Sequence, residues 1–220
     1  PGDGDGGETE PPPSGEGSGE SARVTYGDPT AVSLEVLRRD ATGVDLELLT
    51  GGFYATPAPD GSMRLEIPGF EVQGEPGTPA IPVERTFLEA VAGRQVRITS
   101  IVPSDVLSFP WSRPALAEAP ELLVGRDGTV RAVHRRVRPA WVARRPYPAE
   151  AARVVTTAFQ GETKKALLEL APLRWNASTG QLLLTRRLRV RVAFAGREKG
   201  EVPLGGGRGR VDLPRHGTRG

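Results

Sequence analysis

The chain of 220 residues is long enough for one large domain or two small ones, and its formal net charge is +2. Glycine and proline, at 28 and 21 residues, are nearly twice as frequent as in an average protein, which argues against a helical bundle. The absence of cysteine excludes disulfides, a thiol nucleophile and cysteine-ligated metal, and His134 and His216 lie too far apart in the sequence to suggest a zinc cluster. We therefore expect no catalytic residue, no metal and no cofactor in this chain.

Both ends of the chain differ in composition from its middle. Residues 1–20 contain only Gly, Pro, Ser, Thr, Asp and Glu, with six acids and no base, so residues 1–22 are predicted to be a disordered acidic tail. Residues 197–220 are rich in glycine and arginine and are predicted to be an exposed linker. The folded domain is predicted to span residues 23–196. No apolar run is long enough for a transmembrane segment, and the first residues do not resemble a signal peptide.

Alternating apolar and polar residues predict one strand after another from Arg23 onward. The first two hairpins are predicted from two such runs, 32–36 and 44–48, joined at 40–43, and from 53–56 and 63–67, joined by a turn at Asp60-Gly61. Further strands are predicted at 83–91, 95–102, 105–109, 122–124, 129–133, 153–160 and 164–170, and a final hairpin is predicted to join 182–185 to 188–194.

Helical composition is confined to 115–123 and 149–153, and prolines crowd the first of these segments. Turn residues recur about every 8 to 12 positions, as in two-sheet proteins. The sequence therefore predicts an all-β fold, an antiparallel β-sandwich of the jelly-roll or immunoglobulin-like kind.

The basic C-terminal part invites a nucleic-acid interpretation, because arginine neutralises phosphates. However, Arg187, Arg189 and Arg191 alternate with the apolar residues of 188–192, a period of two that is typical of the solvated face of a strand. The aromatic residues that stack on bases are also missing there. We expect a solvated face and no nucleic-acid partner.

Three tryptophans and one glycosylation-like motif have structural explanations. Trp111, Trp141 and Trp175 are expected to fill the edges of the core rather than to line a sugar-binding surface. Residues 176–178 (Asn-Ala-Ser) match an N-glycosylation motif, but they continue into Thr-Gly between two strands. A turn is the better interpretation.

Two stretches resemble the propeptide region of the gingipain family of cysteine peptidases. The first is residues 74–82 (Gly-Glu-Pro-Gly-Thr-Pro-Ala-Ile-Pro), followed by an apolar strand, a tight turn and a Val-rich strand. The second runs from Pro-Tyr-Pro at 146–148 to the strand that ends at Phe194, and it includes Trp175-Asn176 where the family more often has Tyr-Asn. The positions of the first stretch that match the family pattern are Gly77, Pro79, Ile81 and Pro82.

This resemblance implies a non-catalytic, secreted propeptide domain of a bacterial peptidase precursor. Such a domain assists folding of the adjoining peptidase domain and blocks the active-site cleft until it is cleaved away. The cognate peptidase domain is then the implied partner, and the catalytic residues would lie outside this chain. The implied location is secreted or at the cell surface.

Two sets of arginines are candidates for the roles that the resemblance implies. Arg126, in Gly-Arg-Asp-Gly at 125–128, is the residue most suited to project from a tight turn into an Arg-selective pocket. The candidates for the processing junction are Arg208, Arg210, Arg215 and Arg219, because a glycine-rich tail can extend into a protease cleft.

A second hypothesis involves no peptidase. In it, the chain is a secreted or surface-tethered β-sandwich that binds a protein or glycan partner, and the acidic tail is a spacer from a membrane anchor. The presence of a peptidase domain in the full precursor would distinguish the two hypotheses.

Overall fold

The computed structural model describes residues 22–73, 77–117, 119–124, 129–135 and 146–198. These ranges contain strands and no helix, so the all-β prediction is confirmed. The strands in chain order are β1 (Val24–Asp40), β2 (Gly43–Pro57), β3 (Met63–Glu66), β4 (Glu71–Gln73), β5 (Ile81–Glu89), β6 (Arg94–Pro110), β7 (Ala119–Val124), β8 (Val130–Arg135), β9 (Ala152–Gln160), β10 (Thr163–Leu170), β11 (Leu173–Asn176) and β12 (Gln181–Arg197).

The strands form two main antiparallel sheets and a separate ribbon. The six-stranded sheet has the order β1-β2-β12-β11, with β3 beside β2 and β6 beside β12. The four-stranded sheet has the order β4-β5-β10-β9, and β7 pairs with β8. The last strand in chain order, β12, therefore lies in the middle of the six-stranded sheet.

A hydrophobic core joins the two main sheets. Leu48 and Leu188 of the six-stranded sheet belong to the same buried cluster as Leu88 and Leu168 of the four-stranded sheet. This packing of one sheet face on the other confirms the predicted sandwich. The first cluster consists of Val44, Leu46, Leu48, Leu88, Ala151, Ala152, Leu168, Leu170, Leu188, Val190, Val192 and Phe194.

A second buried cluster fills the other end of the molecule and is rich in aromatic residues. Phe53 is fully buried, and its ring stacks on Tyr26 with 4.7 Å between centroids. Phe109 and Trp111 contact Phe53 edge-on at 5.5 and 5.8 Å. Trp111 and Trp175 are both buried here, as expected for core anchors, whereas Trp141 lies outside the described residues.

The first two predicted hairpins are confirmed. In the first, Leu34 pairs with Leu48 and Val36 with Leu46, and the turn is closed by Asp40, whose side chain accepts from the backbone N of Thr42 at 2.8 Å. The second hairpin pairs β2 with β3, although residues 53–56 continue β2 instead of forming a strand of their own. The Thr42 hydroxyl and backbone hydrogen bonds lower the pKa of Asp40 to about 2.

Two predicted strand breaks are wrong. The expected hairpin between 182–185 and 188–194 is one continuous strand, β12. Neither Arg186 nor Arg187 is a typical turn residue. β6 pairs with β12 on both sides of Arg186, through Val106 with Thr185 and through Ser104 with Arg187. The strands predicted at 95–102 and 105–109 likewise merge into β6, where Asp105 takes a left-handed conformation (φ 51°) without ending the strand.

A glycine-rich crossing holds β1 against β2 at a bulge between Gly27 and Val32. A Cβ atom on Gly52 would lie 2.0 Å from the backbone oxygen of Tyr26 and 2.7 Å from the backbone nitrogen of Asp28. The two backbones approach so closely that only glycine fits at position 52. This approach brings Tyr26 over Phe53.

The outer face of β12 carries the predicted arginine ladder. Arg189 Nε bonds Glu47 Oε2 at 2.5 Å, and Arg191 bonds Asp45 at 2.9 Å, both partners being on β2. The intervening Val190 is buried in the core. The alternation therefore forms a charged outer sheet face, as the sequence predicted.

Candidate functional site

The β7–β8 hairpin stands apart from the sandwich in its pairing. Val124 pairs with Val130 at one end and Ala119 with Arg135 at the other, and among the described strands these two pair only with each other. The five residues between Val124 and Val130 join the two strands and include Arg126, which lies outside the described residues. An isolated two-stranded ribbon is only marginally stable by itself, so a partner surface would stabilise it.

The segment that leads into the hairpin is fixed to the sandwich by backbone hydrogen bonds. Met63 and Ala115 are joined by a bond of 2.7 Å from Ala115 N to Met63 O, and Ala117 N donates to Thr78 O at 2.7 Å. Ala80 N donates to Ala115 O at 2.8 Å. The segment is thereby held between β3 and the residues that enter β5.

The chain that returns after the hairpin is fixed in the same region. Tyr147 and Trp175 exchange two backbone hydrogen bonds, of 2.7 and 2.8 Å. The Tyr147 hydroxyl also donates to Thr78 Oγ1 at 3.0 Å. The two stretches that carry the gingipain resemblance, around Thr78 and around Tyr147, therefore contact each other beside the segment that leads into β7.

The outer face of the four-stranded sheet carries an ion network around one buried carboxylate. Glu169 accepts from Arg85 at 2.8 Å and from Arg153 at 2.7 Å. Burial alone would raise the pKa of Glu169, but the hydrogen bonds and charges of Arg153 and Arg85 outweigh it and lower the pKa below 4.5. The network ties β5, β10 and β9 together.

This network predicts a component of acid sensitivity. Because the Glu169 pKa is lower in the folded state, its carboxylate stabilises the fold above about pH 4.5, and this stabilisation is lost as the pH falls through the folded-state value. Glu169→Gln is expected to lower the free energy of unfolding at pH 7 by about 2 kcal/mol. Urea denaturation at pH 7 and pH 3 should show a smaller acid-induced loss in the variant; equal losses would contradict the prediction.

The same sheet face also exposes apolar side chains. Phe87 is 68% exposed and pairs in register with Leu167 of β10, while Val155 of β9 is 40% exposed. The outer face of the six-stranded sheet has a shallow groove of about 330 Å³, in which Leu37 and Val102 flank Arg189 and Arg191. This groove is open to solvent and is not an enclosed small-molecule pocket.

In the described part of the chain, the side chains that could ligate a metal ion are dispersed. No three His, Asp or Glu side chains within those ranges come together as a metal site. His134 lies in β8, in register with Pro120 of β7. None of the described segments forms a helix of the length and hydropathy needed to cross a membrane.

The remaining sequence-predicted sites have different outcomes. Asn176 forms the predicted turn, with its side-chain oxygen accepting from Ser178 N at 3.1 Å and Ser178 Oγ at 2.7 Å. The candidate junction residues Arg208, Arg210, Arg215 and Arg219 lie outside the described residues, as Arg126 does.

Comparison with known proteins gives matches among solved structures. No protein-family model and no curated protein sequence matches the chain. One similar solved structure is the complex of the pro- and mature domains of Porphyromonas gingivalis RgpB, with a TM-score of 0.57 and 16% identity over 76% of this chain and 90% of that chain. Another concerns zymogenic latency of gingipain K from the same organism, with a TM-score of 0.58 and 18% identity over 80% of this chain and 99% of that chain.

Both matches are gingipain propeptide structures, and the match covers nearly the whole of each. The similarity extends well beyond the stretches at 74–82 and 146–194 that carry the sequence resemblance. The chain has the fold of the gingipain propeptides.

Proposed function

We propose that this chain is a non-catalytic propeptide domain that binds a gingipain-type cysteine peptidase domain. The observation that carries the proposal is the fold match, which covers 90% and 99% of two chains whose structures concern a pro- and mature-domain complex and zymogenic latency. In the proposed role the domain assists folding of the peptidase and blocks its cleft until cleavage. A secreted or cell-surface location belongs to the same role.

The β7–β8 hairpin is the proposed inhibitory element. The segment that leads into it is fixed by the backbone bonds of Ala115 and Ala117, whereas its strands lack a neighbour among the described ones. A ribbon held at one end can place its connecting residues in a cleft while the sandwich rests outside. Arg126 is proposed to enter the pocket that selects basic side chains, where its guanidinium would pair with a carboxylate.

Inhibition assays test this proposal directly. The full chain, titrated against an Arg-selective gingipain-type peptidase, is expected to inhibit it, and Arg126→Ala is expected to raise the inhibition constant by about 100-fold, the loss of one buried charged contact. Arg38→Ala is the matched control, because Arg38 is a highly exposed arginine on β1, outside the hairpin. No inhibition by the full chain would overturn the propeptide proposal. Equal inhibition by Arg126→Ala and Arg38→Ala would exclude only Arg126 as the residue that enters the pocket.

The tail arginines remain candidates for the junction. Cleavage after Arg208, Arg210, Arg215 or Arg219 is proposed to release the domain from the downstream peptidase. Mass spectrometry of the processed precursor should find a product whose C-terminus is one of these residues; the absence of any such product during processing would exclude all four.

A further inference from the structure

A buried lysine holds the C-terminal end of the sandwich. The side chain of Lys164, on β10, is only 1% exposed. Its Nζ donates to the backbone oxygen of Arg94 at 2.7 Å and to Glu198 Oε2 at 2.5 Å. We call this arrangement of Lys164, Arg94 and Glu198 the exit clasp, because Glu198 directly follows the end of β12.

Two further hydrogen bonds complete the exit clasp, one on each side of the Arg197–Glu198 peptide bond. Glu198 N donates to Gly93 O at 3.2 Å, and the Gln95 side chain donates to Arg197 O at 2.7 Å. The oxygen of this peptide is therefore engaged by Gln95 of β6, and its nitrogen by Gly93, which directly precedes β6. The Arg197 side chain is nevertheless exposed, so a basic residue that a peptidase could recognise stands at this position.

Glu198 is partly exposed, but its negative charge pairs with the buried ammonium of Lys164. A buried ammonium is costly unless it is paired, and removing one partner of a buried pair leaves the other uncompensated. Glu198 is 26% exposed, and within the described ranges it is the carboxylate that pairs with Lys164. Loss of Glu198 is therefore expected to destabilise the fold.

We propose that the Arg197–Glu198 bond is a processing site whose cleavage destabilises this domain. A peptidase that cuts after arginine adds water across the bond, leaving a carboxylate on Arg197 and an amino group on Glu198. Glu198 then departs with the downstream fragment, and Lys164 loses its carboxylate partner. This inference rests on the proposed propeptide function for its peptidase, but not for its effect on stability.

The exit clasp would give two outcomes of proteolysis. While Gln95 and Gly93 hold the bond, it cannot take the extended, unpaired form that a protease cleft requires, so this cut is slow, and a cut beyond Glu198 leaves the exit clasp intact. When the end of β12 opens, the cut after Arg197 becomes available and cannot be reversed by reclosing. An inhibitor that unfolds after this cut would leave the peptidase permanently.

Substitutions in the full chain test the energetic part. Glu198→Gln is expected to lower the Tm by about 5–10 °C, the effect of an unpaired buried charge in a domain of this size. Lys164→Met removes the buried charge that needs a partner. The double variant Lys164→Met/Glu198→Gln should therefore differ in Tm from Lys164→Met by less than about 2 °C. Glu66→Gln is the control, because the Arg23–Glu66 pair is exposed on both sides and should contribute less than about 2 °C.

Digestion with an Arg-specific peptidase, followed by intact mass, tests the site itself. Products that end in the tail should melt as the full chain does, whereas the product that ends at Arg197 should melt at least about 5 °C lower. Glu198→Gln should speed the cut after Arg197 by about 10-fold. To correct for the changed sequence, each rate is divided by the cleavage rate of an unstructured peptide of residues 192–204 that carries the same residue at position 198.

The results have distinct meanings. An unchanged Tm for Glu198→Gln, or a product ending at Arg197 that melts as the full chain does, would overturn the proposal, the second because the new terminal carboxylate would have replaced Glu198. Neither measurement uses inhibition, so a failed inhibition assay does not affect this test. A negative result here likewise does not affect the test of the propeptide function.

Discussion

Gly52→Ala is expected to lower the free energy of unfolding by about 3 kcal/mol, at the upper end of the usual cost of overpacking. The added Cβ would meet two backbone atoms, Tyr26 O at 2.0 Å and Asp28 N at 2.7 Å. Backbone cannot rotate away as a flexible side chain can, so β1 must separate from β2 at this crossing. Urea denaturation followed by circular dichroism gives the difference.

Gly61→Ala is the control for this substitution. Gly61 has a positive φ of 76° and no atom within 4 Å of the added Cβ, so it measures backbone strain without a clash. It should cost about 1 kcal/mol. A Gly52→Ala variant no less stable than Gly61→Ala would show that the crossing of β1 and β2 can widen freely.

Phe53→Ala is expected to cost about 4 kcal/mol, within the range for deleting a buried phenylalanine. Phe53 is fully buried and lies at the centre of the aromatic cluster, where it contacts Tyr26, Phe109 and Trp111. Its removal leaves a cavity lined by rings from two separate segments, β1 and the end of β6, which cannot close it together. Chemical denaturation of the variant measures the loss.

Phe87→Ala provides a matched comparison on the other sheet. The same atoms are deleted, also from a strand, but Phe87 is 68% exposed and little packing is lost. The expected change is less than about 0.5 kcal/mol. A large loss at Phe87, or a small one at Phe53, would contradict the assignment of core and surface.

The local pattern of the sequence was sufficient for most strands and for the sandwich. The alternation in 32–36 and 44–48 sets the face of each strand, and the Asp40 turn sets their register, which is why the first hairpin was predicted correctly. The break expected near Arg186 was wrong because strand length is decided by the neighbour: β6 runs past that point and pairs on both sides of it.

The charge contacts could not be predicted from the sequence. Lys164 occupies a core-facing position of an alternating strand, and nothing nearby in sequence indicates that its partner is Glu198, 34 positions later. Glu169 similarly pairs with Arg85, 84 positions earlier. Such pairs depend on how distant strands are brought together, whereas the Asx turns at Asp40 and Asn176 depend only on residues two or three positions apart.

The central position of β12 has a consequence for synthesis of the chain. β2 and β6 both use β12 as a neighbour, yet β2 ends at Pro57 and β12 begins only at Gln181. During translation, the edges of β2 and β6 that pair with β12 therefore remain unpaired until β12 has left the ribosome. Folding of this sandwich is expected to be slow and to be completed only after β12 emerges, and the growing chain is a natural client for chaperones that shield strand edges.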